Sequence, residues 1–131
     1  MSNKSIYLQD KLLNWVRGTT MGTAPSALYV GLFNGDPTDA GSGGTEVTTT
    51  IHPAGRVAVT FGAPSGGSMS NSGIVDFGTA AGNASLTHFA IFDAASSGNM
   101  LASASLGVSA QTASTGNQVS YAVGALTWSE D

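Results

Sequence analysis

Apolar residues recur at helical spacing near the start of the chain. On a wheel of about 100° per residue, Leu8, Leu12, Trp15 and Val16 fall on one stripe, widened by Ile6 and Leu13. Asp10, Lys11, Asn14 and Arg17 take the other side. The pattern predicts an amphipathic helix over residues 4–17, with Ser2 as its N-cap and Gly18, followed by Thr19 and Thr20, as its stop. So short a helix is marginal in water on its own, so its stripe must cover something. The ordinary cover is the domain's own sheet, and the alternative is a neighbouring subunit.

After Gly22 the period changes from helical to alternating. Ala27–Asn34 puts Leu28, Val30 and Leu32 on one face and Tyr29 and Phe33 on the other, which predicts a strand covered on both sides. Arg56–Phe61 alternates with Val57, Val59 and Phe61 inward, and Ile74–Phe77, Thr87–Phe92 and Leu101–Val108 read as further strands. Val119–Trp128 reads as the last: Val119, Tyr121 and Val123 share one parity and Leu126 and Trp128 the other, so a bulge is expected near Gly124. The connections at Gly35–Gly44, Ser65–Gly73, Ala95–Gly98 and Ser114–Asn117 are rich in turn residues. Six or more short strands without intervening helices predict a mainly β fold. The expectation is an antiparallel β-sandwich over about 27–128, with one N-terminal amphipathic helix and a jelly-roll arrangement as a variant. At 131 residues, without repeat or linker, the chain reads as a single domain, 1–131.

Charge changes this picture in one respect. Charged residues are 9% of the chain against the roughly 25% of an ordinary domain, while glycine, serine and threonine exceed a third. Solubility must then come from hydroxyls, or partners must cover the surface. Lys4, Lys11 and Arg17 fall in the first seventeen positions, ahead of seven of the eight acids, so the helix is locally basic on an acidic body of net charge −4. A solvated helix face is the plain explanation, and docking on an acidic neighbour the sharper one. The net acidity argues against nucleic-acid binding. No apolar run is long enough to span a membrane, and the N-terminus has no uninterrupted signal core. With no cysteine there is no thiolate metal site or cysteine nucleophile.

Candidate chemistry is sparse. Asp36, Asp39 and Glu46 on a glycine-rich loop are weak candidates for a metal site, here calcium, but their spacing is not that of an EF-hand. The plainer role is turn formation: Asp36-Pro37 starts a turn, Asp39 bonds its own backbone and the glycines supply positive φ. Gly41, Gly43 and Gly44 lack the lysine and following helix of a phosphate loop. His52 and His88 could be paired with acids and serines only arbitrarily, and no nucleophile elbow or zinc motif occurs. No cofactor and no enzymatic activity are expected. Most aromatics, Trp15, Phe33, Phe61, Phe77, Phe89, Phe92 and Tyr121, fall at core positions, whereas Tyr29 and Trp128 are the candidates for exposed contact.

Two long segments carry a resemblance, Ala27–Val47 (ALYVGLFNGDPTDAGSGGTEV) and Thr87–Asn99 (THFAIFDAASSGN). They are joined by the NKSIYLQDKLLNWV segment, the RVAVTF strand, Asn71-Ser72-Gly73 before Ile74–Phe77, and the closing strand. Together they resemble a family of short virion structural proteins of tailed phages, commonly labelled tail fibre or structural proteins. The resemblance covers nearly the whole chain. It implies a non-catalytic accessory subunit of a bacteriophage virion, a fibre or tail appendage or a capsid decoration, assembled in the host cytoplasm. The implied partners are other virion proteins, of capsid, connector or tail, and copies of the chain itself as a trimer or hexamer. A host-surface glycan or protein receptor is the alternative partner. The resemblance transfers no functional residues. Leu8, Leu12, Trp15, Tyr29 and Trp128 are the candidate assembly contacts.

Overall fold

In a computed structural model, residues 2–130 are described. Strand β1 (Ser2–Lys4) leads into helix α1 (Ile6–Val16), and β2 (Leu28–Phe33) follows after a long connection. The short helix α2 (Thr48–Ile51) precedes β3 (Val57–Val59), β4 (Ser68–Ser70), β5 (Val75–Thr79), β6 (Ala84–Leu86), β7 (His88–Phe92) and β8 (Met100–Ser105). A 3-10 turn, Gly107–Ser109, separates β8 from β9 (Gln111–Ala113), β10 (Gln118–Tyr121) and β11 (Thr127–Ser129). The fold is mainly β and antiparallel, with the helix at its N-terminal end.

Five strands form one sheet in the order β1-β8-β7-β2-β3, and the rest pair as three ribbons, β10-β5, β11-β4 and β6-β9. Alternation decides which side of the sheet is core. Val30 lies opposite Ile91 and Val57, Leu32 opposite Phe89, and Ala102 opposite Ile91, so these side chains share one face. That face packs against Phe77, Leu86, Val119, Leu126 and Trp128 of the ribbon layer in a single apolar cluster. The second layer is thus divided into ribbons, and strand order does not trace a jelly roll.

The other face of the sheet carries a smaller cluster of Phe33, Ala90, Phe92 and the half-buried Met100. Phe33 and Phe92 stack with centroids 6.3 Å apart. The glycine-rich segment 34–46 covers this face, where sequence pattern had suggested the helix. Pro37 is fully buried, and a Cβ on Gly41 would touch Met100 Cε at 3.6 Å.

Three sequence expectations are corrected. The N-cap is Ser5, whose Oγ accepts from the Leu8 amide at 3.2 Å, while Ser2 belongs to β1. Leu101–Val108 is a strand only to Ser105, and Val108 sits on the 3-10 turn. Val119–Trp128 is two strands in two ribbons, joined by a turn rather than bent by a bulge at Gly124. Asn71, buried to 1%, holds that turn: its Nδ2 donates to Gly73 and Ala122 carbonyls and its Oδ1 accepts from the Leu126 amide. The bulge in this region lies earlier, between Val119 and Ser120.

Candidate assembly surface

Helix α1 leaves the sheet at its edge. Gly18, at φ +102°, ends it as expected, with the Gly18 and Thr19 amides bonded back to Trp15 and Asn14 carbonyls. Its first turns are tied down: the Ile6 amide donates to the Asp39 carbonyl at 2.9 Å, and Gln9 Nε2 donates to the Lys4 carbonyl and to Asp39 Oδ2. Lys4 meets Glu130 at 2.9 Å. The last turns have less support. None of the eleven residues is buried, and Leu13, Trp15 and Val16 are 66%, 61% and 75% exposed. The expectation that the domain's own sheet covers the stripe therefore holds only for Leu8, which packs against the main core.

Beside the helix lies a groove of about 500 Å³, almost wholly apolar, between Tyr7 and Leu8 on one side and Met21, Leu28, Met69 and Trp128 on the other. Lys11 lies at its edge, with Nζ donating to the Met21 carbonyl at 3.0 Å and standing 5.1 Å from the centre of the Tyr7 ring. That engagement leaves the groove without a free cation there.

The remaining candidates scatter. Trp128 is only 8% exposed, edge-on to Phe61 at 6.2 Å, and belongs to the core, so its expected exposure is corrected. Chain-end position suggested a surface residue, but pairing of β11 with β4 draws the indole inward. Leu12 and Tyr29 are half-buried, Tyr29 on the outer face of the sheet and Leu12 on α1. Trp15, also read as a core aromatic, is exposed instead. Asp36 Oδ1 accepts from the Thr38 amide, Asp39 is bonded to Gln9, and Glu46 pairs with Arg56. No group of three potential ligands converges among the described residues.

Arg56, read from sequence only as the start of a strand, organises the outer face. Its Nε and Nη2 donate to the two Glu46 oxygens at 2.9 Å each, and Nη1 donates to the Ala94 and Ser97 carbonyls. Its guanidinium lies 3.4 Å over the Phe92 ring. Glu46 Oε2 also accepts from Thr48 Oγ1, which accepts from the Leu32 amide. Burial raises the Glu46 carboxyl, but hydrogen bonds from Arg56 and Thr48 and the cation's charge outweigh it and hold the group below its ordinary range. Gly31 makes the room: a Cβ there would stand 2.7 Å from Glu46 Oε2 and 2.9 Å from Phe92 Cε2. Its position as the one cation beyond residue 17 was the available signal, though nothing local named its partner. This network binds the Glu46 segment to the loop between β7 and β8.

His52 Nδ1 lies 2.6 Å from the Gly55 carbonyl and His88 Nδ1 2.9 Å from Thr87 Oγ1, each a local contact. No described helix is long and apolar enough to cross a membrane. No curated protein matches the chain. A family model described as "Podophage GP4 fiber I protein gp80" matches residues 3–129. The chain accordingly belongs to that family of podophage fibre proteins, structural components of the virion.

Proposed function

We propose that this chain is a non-catalytic accessory subunit of the phage fibre apparatus that works by multivalent protein–protein assembly, with the outer side of α1 as its docking surface toward a larger virion protein. The observation that carries the reading is the exposure of Leu13, Trp15 and Val16 on a helix that buries none of its own residues. An isolated apolar residue at a surface needs no explanation, but three on one unsupported helix end have a use when a partner covers them. Repetition around a symmetric particle turns a modest single contact into stable attachment. Engagement of Glu46, Asp93 and both histidines in structural bonds supports the absence of catalysis.

The test is occupancy of the particle. Virions assembled with a Leu13→Asp/Trp15→Asp chain are expected to carry at least about tenfold fewer copies than wild type, the effect of losing some 1.4 kcal/mol or more of contact. Copies per particle are counted by quantitative mass spectrometry, with circular dichroism confirming the fold of the variant. Wild-type occupancy would sink the assignment of α1.

A further inference from the structure

β1 and α1 are held to the rest of the chain at one edge of the five-stranded sheet. β1 lies along β8, with Ser2 opposite Ala104, Asn3 opposite Ser103 and Lys4 opposite Ala102. The ladder runs one step further, the Ser5 amide donating to the Leu101 carbonyl at 2.9 Å. Beyond it come the ties to Asp39 and Glu130 and the packing of Leu8 on the core. The two elements thus sit on the body as an arm, attached along a line of backbone bonds.

The body needs this arm. Ala102 and Ser103 are each 2% exposed and Ala104 8%. Without β1 the backbone groups along that side of β8 would lie open, and an open edge takes up another strand. The register does not specify whose strand it is, because β1 of a second copy carries the same residues.

The connection permits exchange. Residues 17–27 join α1 to β2 without helix or strand and are exposed except for Met21 and Ala27, which are half-buried. A Cβ on Gly18 would touch nothing within 4 Å, and one on Gly22 would meet only Lys11 Nζ at 3.8 Å. Fully extended, this segment spans about 36–40 Å. β1 and β2 stand three places apart in the sheet, roughly 14–15 Å. The length of α1 adds at most about 16–17 Å, so closure on the chain's own body uses less than the full reach.

We propose that β1 and α1 form an exchangeable arm, which pairs with β8 of a second copy in place of that copy's own. The bonds of the closed chain are then remade between chains and only the connection changes course, the low-cost route to a dimer. A tethered arm has a local concentration on the order of 1 mM, so exchange competes once copies are crowded to that level. The exchange goes beyond the attachment reading and does not draw on it. Leu13, Trp15 and Val16 keep the same outward position on α1 in either form.

Cysteine linking tests it, in a chain with no cysteine of its own. Ser5 and Leu101 make the hydrogen-bonded step, so Lys4 and Ala102 beside them are a non-hydrogen-bonded pair. The Cα atoms of such a pair stand about 4.5 Å apart, within the range that a disulfide bridges. A Lys4→Cys/Ala102→Cys chain, its fold checked by circular dichroism, is equilibrated at about 10 µM and at about 1 mM and then oxidised. In denaturing electrophoresis without reductant, single chains are expected at the low concentration and about half covalent pairs at the high one. Peptide mapping is expected to place the link between positions 4 and 102. In sedimentation the unsubstituted chain is expected to pass from monomer to dimer over the same range. An unsubstituted chain still monomeric at about 1 mM, a dimer whose linked chains separate in denaturant, or pairs joined through other positions would each overturn the proposal. The Leu13→Asp/Trp15→Asp chain is expected to exchange like wild type, so loss of exchange and loss of virion occupancy are separate results.

Discussion

Arg56 donates four hydrogen bonds to two segments, Glu46 before α2 and the Ala94 and Ser97 carbonyls between β7 and β8. Its side chain is 9% exposed and that of Glu46 29%. Removing the cation leaves a half-buried carboxylate and two carbonyls without their donor. Arg56→Ala is expected to lower unfolding free energy by about 2–3 kcal/mol, below the value for a fully buried pair because water reaches Glu46. Glu46→Gln retains part of the bonding and is expected to cost less. Denaturant titration of both variants checks the order. The same pair sets an acid dependence. A carboxyl held below its ordinary range in the folded chain contributes stability that is complete above its unfolded value, about 4.3 for glutamate. That contribution is lost as pH falls through the lower folded value. Asp93 is also lowered: burial raises it slightly, and hydrogen bonds from Asn99 outweigh that. Wild-type stability is thus expected to decline on acidification below about pH 4, and more shallowly in Glu46→Gln.

At the scale of elements, α1 separates what forms a helix from what covers it. Ser5 caps it and Gly18 stops it, and its N-terminal half is moored to Asp39. Ser5→Ala is expected to cost about 1 kcal/mol, read as faster amide exchange in the first turns of α1. Replacing both Leu13 and Trp15 by serine is expected to leave the unfolding free energy within about 0.5 kcal/mol, because those side chains leave water only on assembly. Loss of stability as large as a core truncation in that variant would show that the helix end packs on its own chain. β4 makes the complementary point. Ser68-Met69-Ser70 has little apolar pattern and forms a strand because β11 pairs with it, Trp128 opposite Met69.

For the whole molecule, low charge is the governing property. The sequence has few ions, and the end of α1 proposed as a contact exposes Leu13, Trp15 and Val16, so attachment should respond weakly to ionic strength. Between 50 and 500 mM salt, in the range where exposed charges are increasingly screened, occupancy of the particle is expected to change by less than about threefold. A steep loss of copies per particle with salt, counted by mass spectrometry, would point to a charged interface instead.

Alternation along β2, β3 and β7 determined their strand character and their core face, since neighbouring side chains of a strand must point to opposite sides. Turn chemistry at 35–44 and 95–98 and helical spacing at α1 were equally legible. The tertiary structure decided which surface covers which. The glycine-rich loop, rather than the helix, covers the outer face of the sheet, and Asn71 splits the final strand between two ribbons. Trp128 turns inward, Glu46 meets Arg56, and the end of α1 stays uncovered. Periodicity reports the two sides of one element, whereas cover, pairing and exposure depend on residues far away in the chain. The helix's apolar stripe was therefore readable from spacing, and its availability to a partner only from the folded chain.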